Sequence, residues 1–158
     1  MRPAVVNTDL CVTGVDHVGI VVSDAAPVVT LLSMLPGVVV GAPVEHPELG
    51  LLIQFVALGE LRLELLTPTD PSSRAAALIA TGRSGVHHLA LTTSDLSAAL
   101  RALRSAGIPL ADQTGRPGAH GSTIAFIDAD ALSGVSIELV QPATRQESIH
   151  AEDPSRNG

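Results

Sequence analysis

The sequence predicts an α+β fold built from two tandem βαβββ modules, and three observations carry that prediction. The segment Val15-Asp-His17-Val-Gly-Ile returns as Val86-His-His88-Leu-Ala-Leu. The segment Arg62-Leu-Glu64-Leu-Leu-Thr-Pro68 returns as Ser136-Ile-Glu138-Leu-Val-Gln-Pro142. Ser23-Asp24 returns as Ser94-Asp95, 71 positions on, the offset that also separates the histidines at 17 and 88; the glutamates at 64 and 138 stand 74 apart. Self-similarity at a fixed period marks one structural unit written twice. Two related halves would bring two His and two Glu together near a pseudo-twofold axis.

Val15 to Val22 reads as the first strand and ends at Ser23-Asp24, either of which can cap a helix that carries Pro27 in its first turn. A short helix through Leu31, Leu32 and Leu35 follows and is stopped by Pro36-Gly37. Three β-rich runs come next, Val38 to Val44, Leu51 to Leu58 and Leu61 to Leu66, with Gly59-Glu60 as a tight hairpin turn. Asp70-Pro71-Ser72-Ser73 opens an Ala-rich linking helix that runs to about Ala80 and ends at Gly82. The second module repeats the order: a strand from Val86 to Thr93, then a helix capped by Asp95 with Leu96, Leu100 and Leu103 on one face and Gly107 at its end. Strands near Ile108, at Thr123 to Ile127 and at Val135 to Val140 complete it.

Residues 1–12 therefore read as an N-terminal extension and 13–142 as one domain, with module one at 13–68, the linking helix at 70–82 and module two at 85–142. The stretch 143–158 is polar and aperiodic and reads as a disordered tail.

Composition removes several function classes. A net charge of −7 and a pI near 5.2 argue against broad binding to nucleic acid or to an anionic membrane, although a local Arg cluster can still hold a phosphate. All nine basic residues are Arg, and Lys, Tyr and Trp are absent, so Schiff-base catalysis and base-stacking platforms lack their residues. Cys11 is the single cysteine, which excludes an internal disulfide and any zinc site made of CxxC pairs; it reads as a small hydrophobe near the first strand. The N-terminus shows no secretory pattern and no apolar run reaches ~18 residues, so a soluble cytoplasmic protein is expected.

The repeated His and Glu form a plausible ligand set. Strand alternation sets His17 and His88 on the face opposite Val18 and Leu89, and lets only one ring of the His87-His88 pair share the face of His17; the repeat selects His88. A glutamate between leucines in a buried strand is costly unless paired, protonated or metal-bound. A lone strand glutamate reads more readily as a solvated surface position, but that reading weakens because Glu64 recurs as Glu138 at the matched place. Two imidazoles and two carboxylates suit Co²⁺, Mn²⁺, Ni²⁺, Zn²⁺ or Fe²⁺, and ligand type alone does not choose among them.

These residues resemble the methylmalonyl-CoA epimerases, a family of the vicinal oxygen chelate (VOC) superfamily that also contains glyoxalase I and extradiol dioxygenases. The likeness covers about residues 13–142 and includes Pro47-Glu48-Leu-Gly50, Gly85-Val-His-His88-Leu-Ala, Arg116-Pro-Gly-Ala-His-Gly121 and Gly134-Val-Ser-Ile-Glu138-Leu-Val. It implies a glyoxalase-like open barrel around a metal site, with His17, Glu64, His88 and Glu138 as ligands and Co²⁺ as the ion. It also implies a homodimer and a small acyl-CoA substrate. The resemblance makes Glu48 and Glu138 the catalytic pair on opposite faces of the substrate's α-carbon. On the residues alone Glu48 is a solvated loop charge, and Arg116 to Gly121 is either an ordinary hairpin loop or a turn whose Gly118 and Gly121 N–H groups meet an anion.

The chain departs from the family twice. Where these epimerases carry His-Pro-Lys it has Asp128-Ala-Asp130, and its first helix is short and lacks the usual Phe-Tyr pair. The departures keep two alternatives in view: another VOC-fold metal-dependent isomerase, lyase or tailoring enzyme, and a non-catalytic small-molecule-binding protein.

Overall fold

A computed structural model describes residues 11–143. Nine strands and three α-helices follow in the order β1 (Val12–Val21), α1 (Ala26–Ser33), β2 (Val38–Val40), β3 (Val44–His46), β4 (Leu51–Leu58), β5 (Leu61–Pro68), α2 (Arg74–Ala80), β6 (Gly85–Thr93), α3 (Leu96–Ser105), β7 (Arg116–Pro117), β8 (Thr123–Phe126) and β9 (Ile137–Gln141). The strands form one mixed sheet in the order β2-β4-β5-β1-β6-β9-β8-β7, with β3 also paired to β4. Each half reads outward from the centre in the same way: β1 or β6, a parallel neighbour (β5 or β9), then an antiparallel one (β4 or β8). The α+β class and the doubled βαβββ order are thus those the sequence predicts.

The halves join along β1 and β6, antiparallel, with His17 opposite Ala90, Val18 opposite Leu89 and Gly19 opposite His88. That register is symmetric about the Val18–Leu89 pair, which marks the pseudo-twofold axis. The register shifts on both sides of this segment. Two β1 residues, Asp16 and His17, take up the step from Leu91 to Ala90, and two β6 residues, His87 and His88, take up the step from Ile20 to Gly19. Each half thus has a β-bulge beside its histidine, a device that re-aims side chains.

Helix ends follow the predicted chemistry in two of three cases. Asp95 accepts the Ala98 N–H at 2.8 Å to cap α3, and Ser73 caps α2 through Ala76. Gly107 (φ 75°) closes α3 with Gly107 N–H to Arg104 O and Ile108 N–H to Leu103 O, a Schellman pattern that Gly82 repeats on α2. Leu96, Leu100 and Leu103 turn inward against Leu110, Ala125, Ile127 and Leu139, forming the core of module two. A second cluster of Val21, Ile53, Leu66 and Ala75 seats α2 on module one. The first helix differs: its N-cap is Ala25, whose side chain has no acceptor, and the Asp24 carboxylate one residue earlier accepts the Ala26 N–H. No residue of α1 is buried.

Other boundaries also differ. The run Val38 to Val44 breaks into β2 and β3, because Gly41 turns its N–H to Phe55 O and Pro43 has no N–H to give to a ladder. The strand expected near Ile108 shrinks to one bridge between Leu110 and Ile127, since the Ile108 N–H is used to close α3. Conversely, Arg116–Pro117 form a short edge strand where the sequence suggested a loop. β1 begins at Val12, inside the segment taken as an extension, and Cys11 beside it is exposed. The tail beyond Ala143 and residues 1–10 lie outside the described residues.

Candidate metal centre

Glu64 on β5 stands beside Gly19, and Glu138 on β9 stands beside Ala90, positions related by the same twofold that relates His17 and His88. The topology therefore brings all four side chains to one point. His17 Nε2 lies 3.1 Å from His88 Nε2, 3.2 Å from Glu64 Oε2 and 3.4 Å from Glu138 Oε2. His88 Nε2 lies 3.5 Å and 3.6 Å from the same two carboxylate oxygens. His17, His88 and Glu138 offer donor atoms all within 4.8 Å of one another, and Glu64 joins them through both imidazoles.

Two tests of fit can be applied to this cluster. Donors at 2.0–2.2 Å from one cation stand about 2.8–3.1 Å apart at right angles and about 3.3–3.6 Å apart at the tetrahedral angle. The observed separations of 3.1 to 3.6 Å fall in that range. All four residues are also at most 6% exposed, so two carboxylates are held out of water where only a positive charge offsets their desolvation. Burial acts against a charge on His17, but hydrogen bonds to Asp16, Glu138 and Glu64 outweigh it and hold its pKa up at about 11. Burial likewise acts to raise Glu64, and the two histidines bring it down to about 2. The cluster is built around positive charge, which a divalent ion can also provide.

The bulges supply the outer contacts. Asp16 Oδ1 accepts from His17 Nδ1 at 2.8 Å and pairs with Arg62, which keeps the Asp16 pKa below the usual carboxylate range. A carboxylate behind a ligating imidazole fixes its tautomer and aims the other nitrogen at the centre. His87 occupies the matching place in module two, its Nδ1 2.9 Å from His88 Nδ1. Both rings of the His87-His88 pair line the cavity. Strand alternation allows one of them there; the bulge breaks the alternation and admits both. Burial, followed by the charges of His88 and Arg74, lowers the His87 pKa to about 4.

Phe55 and Phe126, the chain's only phenylalanines, complete the symmetry. Each lies across the ladder from a glutamate of the cluster, Phe55 from Glu64 and Phe126 from Glu138, and turns an edge-to-face contact to His17 at 5.6 Å or His88 at 5.3 Å. Each also carries an arginine 5.5 Å over its ring, Arg62 and Arg116 respectively. Asp16, Arg62, His87 and the two phenylalanines were not legible as site residues from the segments that repeat most clearly. A signal existed: positions 55 and 126 share the 71-residue offset of the histidines.

The four side chains sit in a cavity of about 920 Å³ lined from both modules. Glu48 reaches the cavity from the turn after β3, where its side chain is 67% exposed. Gly50 makes that turn: its φ is +61°, and a β-carbon there would meet Asp70 Cβ at 2.7 Å. Glu48's own backbone N–H, with His46 Nδ1 at 3.2 Å, holds the Glu48 pKa below the usual range, so it is ionised at neutral pH. The Gly118 N–H bonds Ser122 O instead of facing an anion. Asp128 and Asp130 line the cavity, with the Asp128 side chain accepting the Asp130 N–H at 3.0 Å.

Residues 16–126 match the family described as Glyoxalase/Bleomycin resistance protein/Dioxygenase superfamily. The chain is 31% identical over 129 residues to an ethylmalonyl-CoA/methylmalonyl-CoA epimerase of Cereibacter sphaeroides, covering 80% of this chain and 96% of that protein. Among solved structures it superposes on the methylmalonyl-CoA epimerase of Mycobacterium tuberculosis with a TM-score of 0.80 and 34% identity, covering 89% of this chain and 95% of that one. A methylmalonyl-CoA epimerase in complex with methylmalonyl-CoA and NH4+ superposes with a TM-score of 0.77 at 29% identity, covering 85% of this chain and 97% of that one.

Proposed function

Because the chain belongs to the methylmalonyl-CoA epimerases of the Glyoxalase/Bleomycin resistance protein/Dioxygenase superfamily, we propose that it inverts the α-carbon of methylmalonyl-CoA or a closely related 2-substituted malonyl thioester. The observation that carries this reading is the presence of an ionised glutamate, Glu48, on the wall of the same cavity as the His17, Glu64, His88 and Glu138 cluster.

His17, Glu64, His88 and Glu138 would hold a divalent cation, with Co²⁺ favoured by the family likeness. Such an ion supplies positive charge next to the substrate's oxygens, which lowers the barrier to losing the α-proton. The remaining work falls to the chain. Epimerisation requires a proton to leave one face of the α-carbon and another to arrive on the opposite face. Glu48 approaches from the solvent-facing rim and Glu138 from the buried floor, so the two carboxylates suit the two faces. Ionised Glu48 accepts the proton of one epimer while Glu138, in its protonated form, returns a proton to the opposite face; this leaves Glu48 protonated and Glu138 ionised, the states from which the other epimer reacts in reverse. Phe55 and Phe126 flank the four-residue cluster with apolar surface and limit competing water.

The acyl-CoA tail would leave through the open side of the cavity. A homodimer and a cytoplasmic location complete the proposal. No helix among the described residues is long and apolar enough to cross a membrane.

Incubation of the Co²⁺-loaded protein with methylmalonyl-CoA in D₂O tests the reading. Incorporation of deuterium at the α-carbon with equilibration of the two epimers is expected, and an α-hydrogen retained through a long incubation would refute it.

A further inference from the structure

We infer that His87 serves the centre twice, positioning His88 through one ring nitrogen and offering the other, as an N–H donor, to an oxygen of the bound acyl thioester. The second duty rests on the epimerase reading; the first does not.

The repeat defines the position. Asp16 and His87 are the extra residues of two symmetry-related bulges, and each therefore stands beside a histidine of the cluster on the same side of the sheet. Asp16 accepts from His17 Nδ1 at 2.8 Å, and His87 Nδ1 lies 2.9 Å from His88 Nδ1. One position in the fold thus has one task, done by a carboxylate in one half and an imidazole in the other.

The hydrogen bond then fixes every ring proton. Two nitrogens at 2.9 Å share one hydrogen. His88 turns Nε2 to the centre, 3.1 Å from His17 Nε2, so its hydrogen sits on Nδ1 and is donated to His87 Nδ1. An imidazole that accepts at Nδ1 carries its own hydrogen on Nε2. His87 Nε2 has no hydrogen-bond partner among the described residues and is not sealed from solvent, and the residue lines the cavity. Phe126 packs edge-on at 6.4 Å from His87 and 5.3 Å from His88, which limits rotation of both rings.

Here the two halves part. The far side of Asp16 is closed by Arg62, whereas the far side of His87 is open to the cavity. A fixed, uncharged N–H recognises a carbonyl or carboxylate oxygen, and a malonyl thioester presents both.

Two variants of the full-length protein test this, His87→Ala and His87→Asp, each titrated with Co²⁺ and then assayed for KM and kcat. His87→Ala removes the acceptor behind His88 and should weaken Co²⁺ binding about 10- to 100-fold. His87→Asp copies module one and should restore Co²⁺ affinity at least to the wild-type level, while KM rises about tenfold or more because the N–H donor is gone. Co²⁺ affinity within twofold of wild type in His87→Ala, or equally weak in both variants, would overturn the positioning role. A wild-type KM in His87→Asp would overturn the donor role. If the wild-type protein binds Co²⁺ but exchanges no α-proton, the epimerase reading fails separately and the Co²⁺ titrations alone decide the matter.

Discussion

Gly19 lies directly beneath the imidazole of His88, so closely that a β-carbon at Gly19 would fall 2.0 Å from His88 Cε1 and 2.5 Å from Nε2. The ring occupies the space that any other residue would fill with its side chain. Gly19→Ala must therefore swing His88 away from the cluster. Loss of an outer contact to a ligand typically weakens metal binding 10- to 100-fold, so displacing the ligand itself should weaken Co²⁺ binding by about 100-fold or more. Competition titration against a chelator measures this. Unchanged affinity would show that His88 does not hold the ion.

Glu48→Gln keeps the shape of the turn and removes the exposed base. Epimerisation should fall by about 10² to 10⁴, with Co²⁺ affinity unchanged because Glu48 is not in the four-residue cluster. Exchange should also become one-sided. The epimer deprotonated from the Glu138 face keeps exchanging its α-hydrogen with D₂O without inverting, and the other epimer is inert. NMR of each epimer separately reads this out; equal residual exchange from both would contradict the two-carboxylate arrangement.

The repeat made the module order and the four-residue cluster legible in the sequence, because a twofold seam requires matched side chains at matched positions. Capping residues and helix-ending glycines were legible because their chemistry is local: Asp95, Ser73, Gly82 and Gly107 act where the sequence indicates. What escaped was the bulge, since the polar pairs that hold it, Asp16-His17 and His87-His88, carry no hydrophobic signal from which the change of phase can be read. It moves Asp16 and His87 onto the face that alternation denies them. The split of Val38 to Val44 was obscured because Val44 resumes the β-rich pattern, although Gly41-Ala42-Pro43 interrupt it and part β2 from β3.

The metal-free protein should be most stable between about pH 4.5 and 6.5. Glu64 has a folded pKa of about 2 against an ordinary 4.5, so its contribution is fully present above pH 4.5 and is lost as pH falls towards 2. Asp16, also lowered, acts in the same sense. His17 is raised from 6.5 to about 11, so its contribution is fully present below pH 6.5 and fades as pH rises towards 11. The shifts describe one set of contacts, so their contributions are shared rather than additive. Thermal melts in EDTA from pH 3 to 10 should trace this plateau. A metal-free protein that melts higher at pH 9 than at pH 6 would contradict it.

Metal binding should stabilise the fold, and more strongly at higher pH. At 100 times its dissociation constant an ion that binds only the folded state contributes about 2.7 kcal/mol, or roughly 5–10 °C in a chain of this size. His17 keeps a proton in the metal-free cluster up to a pKa of about 11, and the ion must displace it. Affinity should therefore tighten about tenfold per pH unit through the neutral range, worth about 1.4 kcal/mol each. At a fixed Co²⁺ concentration the rise in Tm should be several degrees larger at pH 8 than at pH 6. His17→Ala removes both the ligand and the displaced proton, and should abolish the pH-dependent part of the Tm rise. A wild-type Tm rise that is the same at both pH values would show that the ion does not compete with the His17 proton, and would place it elsewhere than among these four side chains.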